Sequence, residues 1–154
     1  MNGCPSVGPG LQFDSEGTLH VGYFTGNGTD GPGYYAVNSN DLGKTFSDPI
    51  PVHTSDFVSS SHTNMDLVVD KNNNIWMAFV TLPEYEEGGQ SGHGDSVKIL
   101  NVVVLNKTGT KLGELSFPSK QNEEISNPSL IPILDGTMMG FSTGDKFNIL
   151  AMRS

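Results

Sequence analysis

Residues 39–46 read Ser39-Asn40-Asp41-Leu42-Gly43-Lys44-Thr45-Phe46, the most informative segment of this sequence for its fold. It follows an aromatic, alternating run, Gly33-Tyr34-Tyr35-Ala36-Val37-Asn38, and precedes a short second run, Asp48-Pro49-Ile50-Pro51-Val52. Ser and Asp side chains hydrogen-bond to nearby backbone N–H groups, and Gly adopts a positive φ at no steric cost. The stretch therefore predicts a tight, self-bonded turn between two strands, with Phe46 folding back onto the sheet.

The composition indicates a single all-β domain. The chain has 154 residues, only 35% of them hydrophobic, with 19 Gly and 9 Pro. Short β-type runs separated by Gly, Asn and Asp clusters recur, and no window keeps a helical period. The sequence shows neither a membrane-spanning apolar run nor a signal peptide. We expect a cytoplasmic protein as written, or an extracellular one if the chain is a piece of a longer exported protein.

The charge of the chain limits the class of partner. Its formal net charge is −9, which opposes binding to nucleic acid and to anionic lipid. A divalent cation, a cationic ligand or a neutral sugar fits this charge better. Cys4 is the only cysteine, so no internal disulfide can form.

The chain repeats itself when Asp14, Asp70 and Asp135 are superposed. Each lies between two apolar runs, in residues 10–24, 65–79 and 130–141. An apolar strand, an Asp-led polar turn and a second apolar strand predict a β-hairpin. The repeat therefore predicts three hairpins that lie side by side.

The Ser39–Phe46 stretch resembles the Asp-box of sialidase-like, or BNR-repeat, β-propellers, which is Ser-x-Asp-x-Gly-x-Thr followed by an aromatic residue. Its positions are filled by Ser39, Asp41, Gly43, Thr45 and Phe46. The resemblance implies a partial β-propeller of about three four-stranded antiparallel blades, the last of them incomplete. It also implies that the Asp-box is a structural turn on the side of the propeller away from the ligand.

The predicted blades cover residues 1–154 as one propeller segment. Blade one takes residues 7–52, with strands near 9–14, 18–24, 33–38 and 48–52. Blade two takes 63–118, with strands near 65–70, 74–81, 96–105 and 112–117; its turn 106–111 lies at an Asp-box position but lacks the Asp. Blade three takes 127–154, with strands near 129–134, 137–142 and 146–152. Two open edges then leave three alternatives: closure as a homodimer with a six-bladed ring, a piece of a larger propeller, or an isolated open arc.

The candidate site lies on the face that carries the predicted long loops, 25–33, 53–64, 82–95 and 118–127. Function tends to lie on such loops. The candidate ligand-binding residues are Asp30, Asp56, His62, Tyr85, Glu86, His93 and Asp95. Within the acidic loop 82–95, Glu87, His93 and Asp95 are the weaker candidates for binding Ca²⁺ or Zn²⁺. A solvated acidic loop is the alternative interpretation.

The resemblance implies a catalytic apparatus whose arginine clamp this chain lacks. Sialidases of this kind clamp the sugar carboxylate with three arginines and use a Tyr nucleophile assisted by a Glu, with an Asp as acid/base. The only arginine here is Arg153. Lysine does not reproduce the planar bidentate clamp. Tyr85 and Glu86 with Asp30 as acid are conceivable catalytic residues without a supporting motif.

Three functions fit these features. The first is a non-catalytic propeller module that binds glycan or protein through its long-loop face. The second is a fragment of an exo-sialidase-type glycoside hydrolase whose catalytic arginines lie outside the chain. The third is a divalent-metal-binding module or hydrolase that uses the acidic, His-containing loops. We expect the first, with no nucleic-acid partner and no membrane insertion.

Overall fold

The computed structural model describes residues 8–54, 65–82, 97–121 and 123–153. These residues form eleven strands and no helix, so none of them belongs to a helix that could cross a membrane. The strands are β1 (Gly10–Phe13), β2 (Leu19–Gly28), β3 (Gly31–Ser39), β4 (Ile50–Thr54), β5 (Asp66–Val69), β6 (Ile75–Thr81), β7 (Ile99–Leu105), β8 (Lys111–Pro118), β9 (Ile125–Ile133), β10 (Gly136–Thr143) and β11 (Lys146–Arg153). The prediction of an all-β protein is confirmed.

The strands form three antiparallel sheets in chain order. Sheet A consists of β1 to β4, sheet B of β5 to β8, and sheet C of β9 to β11. In each sheet, every strand pairs with its neighbour in sequence. Short connections between antiparallel strands favour this up-and-down arrangement. Strands 9–24 and 65–81 lie in different sheets, as the repeat predicts.

Sheet B lies between sheets A and C. One apolar cluster joins A to B, and a second joins B to C. All seven residues of β6 are buried, because its alternate side chains enter the two clusters. This explains why Ile75-Trp76-Met77-Ala78-Phe79-Val80 is a continuous apolar run and not an alternating one.

Two sequence predictions about connections are wrong. Residues 25–33 do not form a long loop: β2 continues to Gly28, β3 begins at Gly31, and only Thr29 and Asp30 lie between them. The Tyr35 hydroxyl accepts a hydrogen bond from the Asp30 amide and donates one to the Gly31 carbonyl, which closes this hairpin. A buried aromatic residue therefore organises a Gly-rich stretch that the sequence predicts as a loop.

The second error concerns Asp135. Residues 130–141 do form a hairpin, but its turn is the two-residue connection Leu134-Asp135 between Ile133 and Gly136. The Asp135 side chain is 73% exposed and pairs with Lys71, so it does not bond to its own turn. Asp135 is therefore not equivalent to Asp14 and Asp70.

The two ends of the stack of sheets expose apolar side chains. Leu11 and Phe13 of β1 are exposed on sheet A, and Ile131, Phe147 and Ile149 are exposed on sheet C. Faces of this kind favour contact with another protein surface. The predicted homodimer stays a prediction.

Candidate functional site

The connections between strands emerge at two opposite ends of the sheets. The turn end carries the turns after β1, β3, β5, β7 and β9; the loop end carries the connections after β2, β8 and β10. This separation follows from strand alternation in the up-and-down sheets. The two ends have different chemistry.

Three turns at the turn end have the same hydrogen-bond pattern. In each, one side-chain oxygen accepts hydrogen bonds from the backbone N–H groups two and four residues later: Asp14 from Glu16 and Thr18, Asp70 from Asn72 and Asn74, and Asn106 from Thr108 and Thr110. These six distances lie between 2.8 and 3.0 Å. Asn106 therefore replaces Asp in a turn of unchanged geometry.

The two aspartates also bind a ring nitrogen six residues later. Asp14 Oδ2 lies 3.0 Å from His20 Nε2, and Asp70 Oδ2 accepts a hydrogen bond of 3.0 Å from Trp76 Nε1. Burial raises the pKa of each carboxyl, but the hydrogen bonds from the ring and from the turn lower it by more, so both pKa values lie below the usual value. These two ionised turn carboxylates are thus hydrogen-bonded through both of their oxygens, and a structural role accounts for them.

The Ser39–Phe46 turn is held by its own side chains. Ser39 Oγ donates to Asp41 Oδ1 at 2.8 Å and accepts from the Gly43 amide at 2.8 Å. Asp41 in turn accepts from the Thr45 amide and hydroxyl at 2.9 and 2.7 Å. The bonds from Thr45 and then Ser39 lower the pKa of Asp41 to about 2. Phe46 lies over Gly43 and remains 50% exposed.

Polar contacts link these turns from sheet to sheet. Asn73 Oδ1 accepts from the Ser15 hydroxyl at 2.9 Å, and Lys107 Nζ lies 2.9 Å from Glu16 Oε1, which joins sheets A and B. Lys71 Nζ lies 3.0 Å from Asp135 Oδ1, which joins B to C. Polar groups at the turn end therefore bind one another.

Most of the residues predicted to bind a ligand lie outside the described residues. They are Asp56, His62, Tyr85, Glu86, Glu87, His93 and Asp95. Asp30 is described and lies in the tight β2–β3 turn at the loop end, with its amide bound to Tyr35. No three acidic or histidine side chains in the described ranges are grouped to hold a metal ion.

A depression of about 400 Å³ opens at the loop end, where the first strands of the three sheets begin. Its lining residues are Gly8, Pro9, Met65, Asp66, Asn127, Pro128 and Ser129. Asp66 Oδ2 accepts a 2.7 Å hydrogen bond from the Leu130 amide, so this carboxylate fixes β9 against β5. Asn127 has φ of 53°. The amide, hydroxyl and carboxylate groups gathered here suit a polar, hydroxyl-rich ligand.

Sequence reasoning missed Asn127 and Ser129. Both fall in Ser126-Asn127-Pro128-Ser129, where the predicted loop 118–127 ends and the predicted strand 129–134 begins. That boundary is wrong, because β9 already begins at Ile125. Asn is among the residues that tolerate a positive φ, and a Pro directly after it often marks an irregular backbone. The Asn-Pro pair therefore indicates an irregular backbone at residue 127, but it does not predict that this segment lies next to the starts of β1 and β5.

Comparison of this chain with known protein families, with curated proteins and with solved structures gives no match.

Proposed function

We propose that this chain is a sialidase-like Asp-box propeller module that binds a glycan at the loop end of its sheets and does not hydrolyse it. The observation that carries the proposal is the Ser39–Phe46 turn, in which Ser39, Asp41 and Thr45 bind one another and fix a turn between the third and fourth strands of a sheet. This agrees with a structural Asp-box. Three antiparallel sheets stacked face to face also support propeller blades.

The depression at the loop end is the binding site that we propose. It lies at the opposite end from the Ser39–Phe46 turn and combines Asn127, Ser129 and Asp66 with an apolar floor from Met65. Amide and hydroxyl groups can donate to and accept from sugar hydroxyls, and a small apolar surface suits a sugar ring face. The alternative is that the same module binds a protein, and not a glycan, at the loop end.

The arginine content supports binding without hydrolysis. Arg153 is the only arginine of the chain and lies at the turn-end terminus of β11. A clamp on a sugar carboxylate needs several planar guanidinium groups in one place. The chain alone cannot supply them.

The test uses the 154-residue chain and 3′-sialyllactose, with lactose as the neutral comparison. We expect saturable binding by calorimetry, and no release of the fluorophore from a fluorogenic sialoside. Asn127→Gly removes the side-chain amide while keeping a residue that tolerates φ of 53°, so binding should weaken at least about fivefold, because one lost hydrogen bond is worth about 1 kcal/mol.

The matched control is Asn73→Gly at the turn end, where φ is 59°. It should leave glycan affinity unchanged. If the Asn127→Gly variant binds the glycan as tightly as the wild type, the depression is not the binding site. If neither 3′-sialyllactose nor lactose binds, the chain does not recognise these glycans and the proposal is wrong. Turnover of the sialoside would contradict the argument from arginine content.

A further inference from the structure

The loop-end depression has one charged group among its described lining residues, the carboxylate of Asp66. The other described lining residues are Gly, Pro, Met, Asn and Ser, so that neither Lys nor Arg is among them. An anionic ligand in this depression would therefore meet a like charge, and no lining cation would offset it.

Two backbone groups hold the Asp66 carboxylate in place. Oδ1 accepts a hydrogen bond of 2.8 Å from the Leu67 amide, and Oδ2 accepts one of 2.7 Å from the Leu130 amide. A carboxylate has about four acceptor positions, so these two bonds leave room for further donors. Asp66 is also partly exposed. A sugar hydroxyl can donate to this carboxylate, whereas an ionised sugar carboxylate has no proton to donate.

A bulge in β9 places a neutral polar group in the same depression. Asn127-Pro128 lies opposite the single residue Phe141 of β10, and a bulge of this kind bends the strand and redirects a side chain. Asn127 is exposed, and its Nδ2 lies 3.2 Å from the Ser126 hydroxyl oxygen, to which it donates. An amide both donates to and accepts from hydroxyl groups. Its donors can also reach a ligand carboxylate, but they do not cancel the charge of Asp66.

The charges around the depression do not cancel that of Asp66 either. Among the described residues in the loop-end connections and at the adjoining strand ends, five carboxylates face three ammonium groups: Asp30, Asp66, Glu123, Glu124 and Asp145 against Lys98, Lys120 and Lys146. One of these ammonium groups, that of Lys98, is paired with Glu124. The described part of this end is therefore negative overall.

We propose that Asp66 makes the depression selective for neutral, hydroxyl-rich sugars over sugars that carry a carboxylate, such as sialic acid. This selectivity rests on the proposed function, because it concerns the same site. Two like unit charges about 5 Å apart in water weaken binding by about fourfold, and by more where the ligand excludes water. Asp66 is thus the residue that determines specificity, while Asn127 and Ser129 serve neutral and acidic sugars alike.

The test compares 3′-sialyllactose with its methyl ester, because the two ligands differ in one charge and have the same sugars. Calorimetry with the 154-residue chain in 0.01 M salt should show the ester binding at least about threefold more tightly than the acid. In 1 M salt the two affinities should converge, since the Debye length falls from about 30 Å to about 3 Å. Lactose, which is neutral, should bind under both conditions.

A cation placed beside Asp66 should remove the selectivity. Ser129→Lys introduces it at an exposed position of β9, so the acid should bind at least as tightly as the ester. Thr110→Lys is the matched control: it adds the same charge at the turn end, on an exposed residue, and should keep the wild-type ratio. Asp66→Asn is less suitable, because its Nδ2 would face the amide of Leu67 or Leu130. Circular dichroism checks the fold of both variants, and the salt series needs neither.

The possible failures are distinguishable. If the acid binds as tightly as its ester in 0.01 M salt while lactose binds, the selectivity is wrong and glycan binding at the loop end stands. If Ser129→Lys keeps the wild-type ratio of the two affinities, the discrimination does not come from Asp66. If none of the three sugars binds, the proposed function is wrong and the selectivity is wrong with it.

Discussion

Asp70→Asn is the sharpest test of how the turn end is stabilised. The amide oxygen of Asn can still accept from the Asn72 and Asn74 N–H groups, as Asn106 does in its own turn. Its Nδ2 then faces the Trp76 Nε1–H, so that two donors meet where a carboxylate oxygen accepted at 3.0 Å. Trp76 is 3% exposed and finds no water in exchange.

The expected cost follows from these contacts. A buried donor left unsatisfied costs about 1–3 kcal/mol. The hydrogen bonds from the Asn72 and Asn74 amides also weaken, because they then reach a neutral amide oxygen and not a charged carboxylate. We therefore expect Asp70→Asn to lower the free energy of unfolding by about 2–4 kcal/mol in total. The control is Asp135→Asn, where the side chain is 73% exposed and its ion pair with Lys71 is worth at most about 1 kcal/mol.

Urea unfolding followed by far-UV circular dichroism measures both variants. A double-mutant cycle with Trp76→Phe isolates the Asp70–Trp76 bond from the packing of the indole, with an expected coupling of about 1–2 kcal/mol. A coupling near zero, or equal losses for Asp70→Asn and Asp135→Asn, would refute the reasoning.

The same variant should change the pH dependence. Burial raises the pKa of Asp70, but the bonds from Trp76, Asn74 and Asn72 outweigh it and leave the folded pKa lowered. The stability that ionised Asp70 adds is therefore fully present above its unfolded pKa of about 4 and is lost as the pH falls through the lower folded pKa. In that acid range the free energy of unfolding of Asp70→Asn should therefore fall less steeply with decreasing pH than that of the wild type. An equal slope in the two proteins would contradict this.

Three further predictions concern single side chains. Gly136→Ala should destabilise the protein by about 2 kcal/mol or more, because φ is 139° and a Cβ would lie 2.0 Å from the backbone oxygen of Met152 on β11. In the control Gly113→Ala the new Cβ would have no atom within 4 Å, so the free energy of unfolding should change by less than about 0.5 kcal/mol. Equal losses in the two variants would contradict the clash. Thr45→Val removes the hydroxyl bond to Asp41 and keeps the amide bond, so it should raise the pKa of Asp41 from about 2 towards its usual value in an NMR titration; an unchanged pKa would show that the Thr45 hydroxyl does not lower it. Tyr34→Phe should cost about 1 kcal/mol in urea unfolding through loss of its buried bond to a backbone carbonyl, and a neutral effect would contradict that bond.

The strands could be predicted because their signals are local. The runs around β2, β6 and β10 are apolar, bounded by Asp, Asn or Gly, and long enough to be strands, so that their observed bounds differ from the predicted ones by a few residues. The Ser39–Phe46 turn is equally local, since its hydrogen bonds join residues at most four apart.

The errors arise where a contact between distant residues decides the conformation. Thr25–Gly33 contains four glycines that are typical of a loop, but the Tyr35 hydroxyl closes it into a hairpin. Asp135 matches Asp14 in sequence pattern, yet a tighter turn directs it to Lys71, which is 64 residues away. The loop-end depression likewise brings together residues from the starts of different sheets, which no single stretch of sequence predicts.

Strand β6 also sets a minimum size for this architecture. Solvent reaches neither of its sides, since Met77 and Phe79 face sheet A while Ala78 and Val80 face sheet C. A polypeptide shortened to residues 1–121 would lack sheet C and would expose to water the side chains of β6 that pack against it. We expect such a polypeptide to aggregate or to bind another chain at this face. Loss of either flanking sheet would therefore expose one of the two apolar sides of β6.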